Sequence, residues 1–367
     1  MPQIFCAGFQ DYGLHKGGTI MITLSGNRGF ESDNCAPVHP RVMAALEAAN
    51  RGHVPGYGYD PVTAEADSLF DRLFGRHVEV FYTFNGTGSN AAALAHLVRP
   101  HHGIVCADTS HINAAETCAP ERIAGGKLLT VPSADGKVTP AQLEGVLGGW
   151  QSEHVPKPAV LSLTQVTDEG MVYTPEELRA LTDAAHRHGM IVHMDGARLA
   201  NAVAANRGDL AGSTAGVDVL GFGGTKNGMM FGEAVVFLKT ELAEEFAYTR
   251  KSCGQLPSKA RYIAAQFIAL LEDGLWLELA GNANRMARQL YRRMGGLPWF
   301  RTPYEPQANE LFAHVDERIK WKLCGAFPFQ HFGPEPGISR FVTSFDTEEA
   351  DIDRFLACAE ELYRQKG

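Results

Sequence analysis

Phe222-Gly223-Gly224-Thr225-Lys226-Asn227-Gly228 closes an apolar run, Val217–Phe222, with a glycine-rich turn that holds one lysine. The residues beside Lys226 are small or apolar, and such surroundings disfavour the charged ammonium and suit an amine that attacks a carbonyl. A lone loop lysine is ordinarily a surface charge, but the segments upstream argue against that here. Met190–Met194 is a second apolar run, and it leads into Asp195-Gly196-Ala197-Arg198, with Asp195 standing 31 residues before the lysine. Open α/β sheets bind ligands beyond the carboxyl ends of their strands. A lysine and a carboxylate at two such ends suit pyridoxal phosphate (PLP). The amine forms a Schiff base, and the carboxylate keeps the ring nitrogen protonated so that the ring accepts electrons. Read alone, Asp195 would equally well cap the next helix.

Further out lie two weaker signals. Phe84-Asn85-Gly86-Thr87-Gly88-Ser89-Asn90 follows the β-branched and aromatic run Val78–Phe84 and precedes an Ala-rich helix. Free N–H groups at a helix start, with nearby hydroxyls, make a phosphate cradle. The Gly-Lys-Ser/Thr ending of a nucleotide P-loop is absent. Thr109-Ser110-His111 follows the run Ile104–Ala107. A histidine there can stack on a flat ring or move a proton, although by itself it would be structural.

The same alternation fills most of the chain. Leu128–Val131, Ala159–Thr164 and Ala234–Leu238 are further short apolar runs, and Arg41–Asn50, Thr63–Phe74 and Pro175–His188 have helical composition. Short buried strands alternating with helices predict an α/β fold with a mostly parallel sheet covered by helices. After Glu272 the character changes to a long helix over Leu275–Met294, turns, strands at Glu310–Val315 and Arg340–Phe345, and a last helix at Glu348–Arg364. The expected organisation is an N-terminal segment over 1–40, a large PLP-binding domain over 41–282 and a small C-terminal α+β domain over 283–367.

Bulk properties exclude several classes. The 367 residues carry 33 basic and 42 acidic side chains, a formal net charge of -9, and have no basic run, so neither nucleic acid nor an anionic membrane is an expected partner. No apolar stretch reaches bilayer length and the first residues lack the order of a signal peptide, so the cytoplasm is the expected location. Seven scattered cysteines without a CxxC read as reduced thiols. His186 and His188 are two apart in a predicted helix and do not share a face, so no metal is expected.

The chain resembles the threonine aldolase / β-eliminating lyase family of fold-type-I PLP enzymes. The resemblance rests on Ser32-Asp33-Asn34, Tyr57-Gly58, and the stretches FNGTGSN (84–90), SHINAAETCAPE (110–121), HMDGARLANA (193–202), GFGGTKNG (221–228), GQLPSKAR (254–261) and RFVTSFDT (340–347), in that order from about 30 to 365. It is strongest to bacterial low-specificity L-threonine aldolases and phenylserine aldolases. The resemblance implies that Lys226 carries PLP, Asp195 pairs with the ring nitrogen, Gly86 and Thr87 bind the phosphate, and His111 stacks on the ring. It further implies that Ser32, Arg198 and Arg340 hold the substrate carboxylate, and that Tyr57 and Arg261 reach the cofactor of a neighbouring subunit. A homo-oligomer is then expected, a dimer at least, with a tetramer as the common dimer of dimers.

The chain departs from many threonine aldolases at two points: its leading segment of about 30 residues is longer than the family usually has, and Asp168 stands where they carry a second active-site histidine. The base that takes the β-hydroxyl proton is therefore His111, Asp168 or a water between them. The expected reaction is cleavage of L-β-hydroxy-α-amino acids (threonine, allo-threonine or phenylserine) to glycine and an aldehyde. The alternatives are a β-eliminating lyase of the same family and a PLP-binding protein without activity.

Overall fold

The computed structural model describes residues 3–4, 27–149, 152–333 and 337–365. Most of the leading segment, for which the sequence suggested no role, lies outside them. The chain divides into two compact units, residues 36–281 and residues 1–35 with 282–367. The division falls within the helix Leu275–Met294.

The larger unit is built on a seven-stranded sheet. From edge to edge its strands are Glu79–Thr83, Glu233–Phe237, Val219–Gly223, Ile191–Gly196, Lys157–Thr164, His102–Ala107 and Lys127–Val131. Six run in the same direction, and Glu233–Phe237 is antiparallel to both neighbours. The central strands are buried along almost their whole length, as expected for a sheet with both faces covered. Parallel strands need crossover helices, and those helices leave every carboxyl end on one edge of the sheet.

Two devices fix that edge. Phe222 is fully buried and packs edge-on against Phe70 at 5.4 Å, with Trp276 5.6 Å away, which anchors the strand that leads to Lys226. Burying such a ring contributes about 2 kcal/mol. The helix Gly86–Leu97 is buried from Gly88 through Leu94. Its small residues, Gly88, Ser89 and Ala91 to Ala93, let it lie close to the sheet.

The smaller unit holds a five-stranded antiparallel sheet in the order Gln3–Ile4, Gln330–Phe332, Ile338–Val342, Glu310–Val315, Phe300–Arg301. Its core gathers Phe30, Phe329, Phe341 and Phe355. Among the described cysteines Cys35, Cys106, Cys118, Cys253 and Cys358 are free thiols. Cys324 is buried, and its Sγ lies 3.2 Å from the Phe329 carbonyl oxygen. No helix among the described residues is long and apolar enough to cross a membrane.

Candidate active site

Seven of the residues singled out from the sequence lie at or just past carboxyl ends of strands of the large sheet. Asp195 is the penultimate residue of Ile191–Gly196, and Arg198 follows it, 7% exposed, at the start of the helix Leu199–Ala205. Lys226 sits in a 3-10 turn, Thr225–Asn227, three residues beyond Val219–Gly223. His111 opens a short helix after His102–Ala107, and Asp168 lies in the loop after Lys157–Thr164. Gly86 and Thr87 start the helix that follows Glu79–Thr83.

The lysine turn is held on all sides. Asn227 donates to the Trp276 carbonyl at 2.8 Å, and the Gly228 carbonyl accepts from His39 N–H at 2.9 Å. Gly228 closes the turn at a φ of 96°, where a side chain would be strained. Gly223 is needed for space: a Cβ there would lie 2.6 Å from the Ala197 carbonyl oxygen. That contact sets the Lys226 strand directly beside the Asp195 loop.

Asp195 is the centre of a polar chain. Its Oδ2 accepts from Asn90 Nδ2 at 2.8 Å, and its Oδ1 accepts from Ala197 N–H at 2.9 Å. The same Asn90 amide donates to Glu116 Oε1 at 2.9 Å, and His111 Nδ1 meets that oxygen at 2.8 Å. One ligand atom each of His111, Glu116 and Asp195 lies within 4.8 Å of the others. An amide has two N–H donors, and here one serves each carboxylate. Burial alone would push the Asp195 carboxyl up. The His111 charge, the Asn90 hydrogen bond, the Lys226 charge and the Ala197 N–H outweigh it and hold Asp195 below the usual carboxylate range. His111 moves the other way: its hydrogen bond to Glu116 and the charges of Asp168 and Asp195 raise it against burial. The ion pair and the anionic Asp195 sustain each other.

At the start of the helix Gly86–Leu97, Asn85 caps it by accepting from Gly88 N–H at 2.8 Å. The first-turn N–H groups of Gly86 and Thr87 have no acceptor within a helix and point outward. A Cβ on Gly86 would meet nothing within 4 Å, so the space beside this helix start is open. Two polar atoms nearby are buried without a partner, Ser89 Oγ and Asp168 Oδ2.

The remaining predicted residues stand elsewhere. Arg261 starts the helix Arg261–Leu271 and directs its guanidinium to the carbonyls of Arg51 and Gly52, at 3.4 and 3.3 Å. Tyr57 is 49% exposed, with a φ of 61°, and its N–H bonds the Ser258 carbonyl. Ser32 and Arg340 belong to the smaller unit. Ser32 Oγ accepts from Asn34 N–H at 3.1 Å. Arg340 bonds Gln330 and pairs with Glu310 at 3.2 Å. A surface cavity of about 480 Å³, lined by His77, His186, Asp218 and Lys239 among others, holds none of the predicted residues. Asp218 and Lys239 flank the amino edge of the sheet, away from the lysine.

A family model described as beta-eliminating lyase matches residues 29–318. The chain belongs to the beta-eliminating lyase family. Among curated relatives, the low specificity L-threonine aldolase of Pseudomonas sp. (strain NCIMB 10558) is 42% identical over 332 residues, 89% of this chain and 96% of that protein. The enzyme of the same description from Pseudomonas aeruginosa is 41% identical over 338 residues, 91% and 96% of the two chains. A solved structure of Leishmania major threonine aldolase superposes with a TM-score of 0.86 at 30% identity, covering 93% of this chain and all of that one.

For a beta-eliminating lyase the residues present fit PLP. An anionic Asp195 suits a protonated ring nitrogen, and an open helix N-terminus suits a phosphate. From Gly86 to Asn90, which grips Asp195, is four residues, roughly 6 Å of helix, the scale of one substituted pyridine ring. The buried unpartnered Ser89 Oγ and Asp168 Oδ2 leave hydrogen-bonding capacity for a ligand. Two contributors escaped the sequence reading, Asn90 and Glu116, which lay inside the matching segments as unassigned letters.

Proposed function

We propose that this protein is a PLP-dependent carbon–carbon lyase that cleaves L-β-hydroxy-α-amino acids to glycine and an aldehyde. The observation that carries the reading is the Asp195–Asn90–Glu116–His111 chain beside Lys226, all at the carboxyl edge of one sheet. When bound, the cofactor supplies an electron sink for the pair released as the Cα–Cβ bond breaks.

The protein's own groups do the rest. Lys226 Nζ would hold the cofactor. The anionic Asp195 would pair with its ring nitrogen. The N–H groups of Gly86 and Thr87 would hold its phosphate, and His111 would stack on the ring, as the resemblance implies. Arg198 is a substrate-carboxylate ligand, since a guanidinium fork suits that group. The same role for Ser32 and Arg340 rests on the resemblance alone. For the β-hydroxyl proton, we favour Asp168 over His111. Glu116 pushes His111 toward the imidazolium, a poor base, while Asp168 Oδ2 is buried without a donor and close enough for its charge to act on His111. An acid in place of a histidine, and a conjugated product such as benzaldehyde, together favour β-aryl serines over threonine.

The test is aldehyde release from L-threonine, L-allo-threonine and L-phenylserine. Turnover is expected on all three with the highest kcat/KM on phenylserine. Lys226→Ala is expected to lose both activity and the visible absorbance of the bound cofactor. A binder without activity releases no aldehyde, and a β-eliminating lyase releases a keto acid instead.

The proposed working form is a cytoplasmic homo-oligomer, a dimer at least, with Tyr57 and Arg261 completing a neighbour's site. The exposure of Tyr57, with Tyr59 and Val54 exposed beside it, supports that placement. Mixing Lys226→Ala with Arg261→Ala chains is expected to restore activity, because a hybrid dimer holds one intact site. Fully exchanged hybrids that remain inactive exclude shared sites.

A further inference from the structure

The loop after the helix Phe246–Ser252 brings to the start of the helix Gly86–Leu97 a side chain that the mechanism does not use. Arg250 donates to the Tyr82 carbonyl at 3.2 Å, which ties the first of these helices to the strand Glu79–Thr83. The Arg250 carbonyl accepts from Gln255 N–H at 2.9 Å, and Gly254 makes the turn at a φ of 71°. The Gln255 side chain then reaches the junction between that strand and the next helix. Its Oε1 accepts from Phe84 N–H at 3.0 Å. A Cβ on Gly88 would overlap the Gln255 carboxamide, so the amide fills the place of a side chain at that position. Cβ bonds of a helix lean toward its N-terminus. An amide in that place therefore lies over the first turn, beside the N–H groups of Gly86 and Thr87.

The bond from Phe84 fixes which way round the amide sits, because only its oxygen can accept. Nε2 keeps both its N–H donors, and it has no partner among the described residues. Gln255 is half-buried, and the space beside Gly86 is open. Ser89, in the same turn as Gly88, is 2% exposed and its Oγ has no partner either. We propose that Gln255 is a further ligand of the cofactor phosphate, its Nε2 donating to an oxygen of the group held by the Gly86 and Thr87 N–H groups. The proposal rests on this helix start being the phosphate site. It gives Gly88 a physical reason, since any side chain there would displace the amide. A brace for Phe84 alone would need only the oxygen, whereas a phosphate ligand needs the donors as well.

The experiment titrates apoprotein with PLP and with pyridoxal, followed by the visible absorbance. Both aldehydes react with the same lysine and only one carries a phosphate, so the ratio of affinities isolates the phosphate contacts. Gln255→Leu removes the donors without adding charge and is expected to weaken PLP about tenfold, the scale of a hydrogen bond to a charged group, with pyridoxal unchanged. Gln255→Glu keeps an acceptor for Phe84 N–H and sets a negative charge where the donors were. It is expected to weaken PLP about a hundredfold, again with pyridoxal unchanged. An equal loss for both ligands, or no loss for PLP, overturns the proposal, because Gln255 then only braces the helix. If Gln255→Leu does not fold by circular dichroism, Gln255→Glu decides by the same ratio. Gly86→Pro tests the underlying reading. Proline is tolerated at the first helical position and removes one N–H of the phosphate site. A Gly86→Pro protein that keeps the full preference for PLP over pyridoxal defeats the phosphate site itself, so the two failures are separable.

Discussion

Asn90 shows how much of a site can hang on one neutral side chain. Its amide bridges two buried carboxylates, Asp195 and Glu116, and donates one hydrogen bond to each. Asn90→Ala leaves each without that donor, at a cost of about 1–3 kcal/mol for a buried unsatisfied group. Asp195 then loses one of the groups that hold its carboxyl low, after the His111 charge, and its anionic form is held less firmly. The expected outcome is a PLP affinity at least tenfold weaker, with the fold intact, measured by titrating apoprotein and following absorbance. Unchanged affinity would show that Asp195 keeps its charge without Asn90. Lys226, Asp195 and His111 were legible in the sequence because each is a reactive residue set at the end of an apolar run. Asn90 and Glu116 were not, because an Asn inside an Ala-rich helix and a Glu five residues after a His are ordinary letters. Their meaning exists only once the helix Gly86–Leu97 lies across the strand Ile191–Gly196.

At the level of elements, the glycine-rich turn was read as a place for a reactive lysine, and its physical reason is closer packing than the sequence disclosed. Gly223 touches the Ala197 backbone, so the two loops that carry Lys226 and Asp195 share a wall. Gly223→Ala puts a methyl 2.6 Å from the Ala197 oxygen, and overpacking of this kind costs about 1–3 kcal/mol. The loops must part, so PLP binding is expected to weaken at least tenfold while far-ultraviolet circular dichroism stays native. Retained affinity would show that the loops are not coupled there. The run at Ala234–Leu238 was legible as a strand, but periodicity carries no direction. Its antiparallel setting comes from a connection across Asn227–Gly232 too short for a crossover. That reversal brings the start of the strand, and Glu233 with it, to the edge where the other strands end. The short strands Phe300–Arg301 and Gln330–Phe332 escaped notice because two or three residues give no alternation to detect.

Over the whole molecule, the buried groups around the site pull stability in opposite directions with pH. Glu233 stands at about 7 in the folded chain against 4.5 for an ordinary glutamate, because burial penalises its charge. Its contribution is complete below pH 4.5 and is lost as pH rises through 7. Asp67, raised to about 6 chiefly by burial, acts on the same side. His193, fully enclosed and bonded to Ser162 at 2.9 Å, is pushed by burial down to about 4 from 6.5. Its contribution is complete above 6.5 and is lost as pH falls through 4. At about 1.4 kcal/mol per pH unit, the Glu233 and His193 displacements are each worth roughly 3 kcal/mol and largely offset one another between pH 4.5 and 6.5. Single substitutions should expose each arm. In urea unfolding of the apoprotein, Glu233→Gln is expected to gain on the unaltered chain steadily from pH 4.5 to 7. His193→Gln is expected to gain on it as pH falls from 6.5 to 4, whatever packing offset it carries at pH 7. If either variant runs parallel to the unaltered protein across its window, that group has the same proton affinity folded and unfolded, and burial is not what governs it.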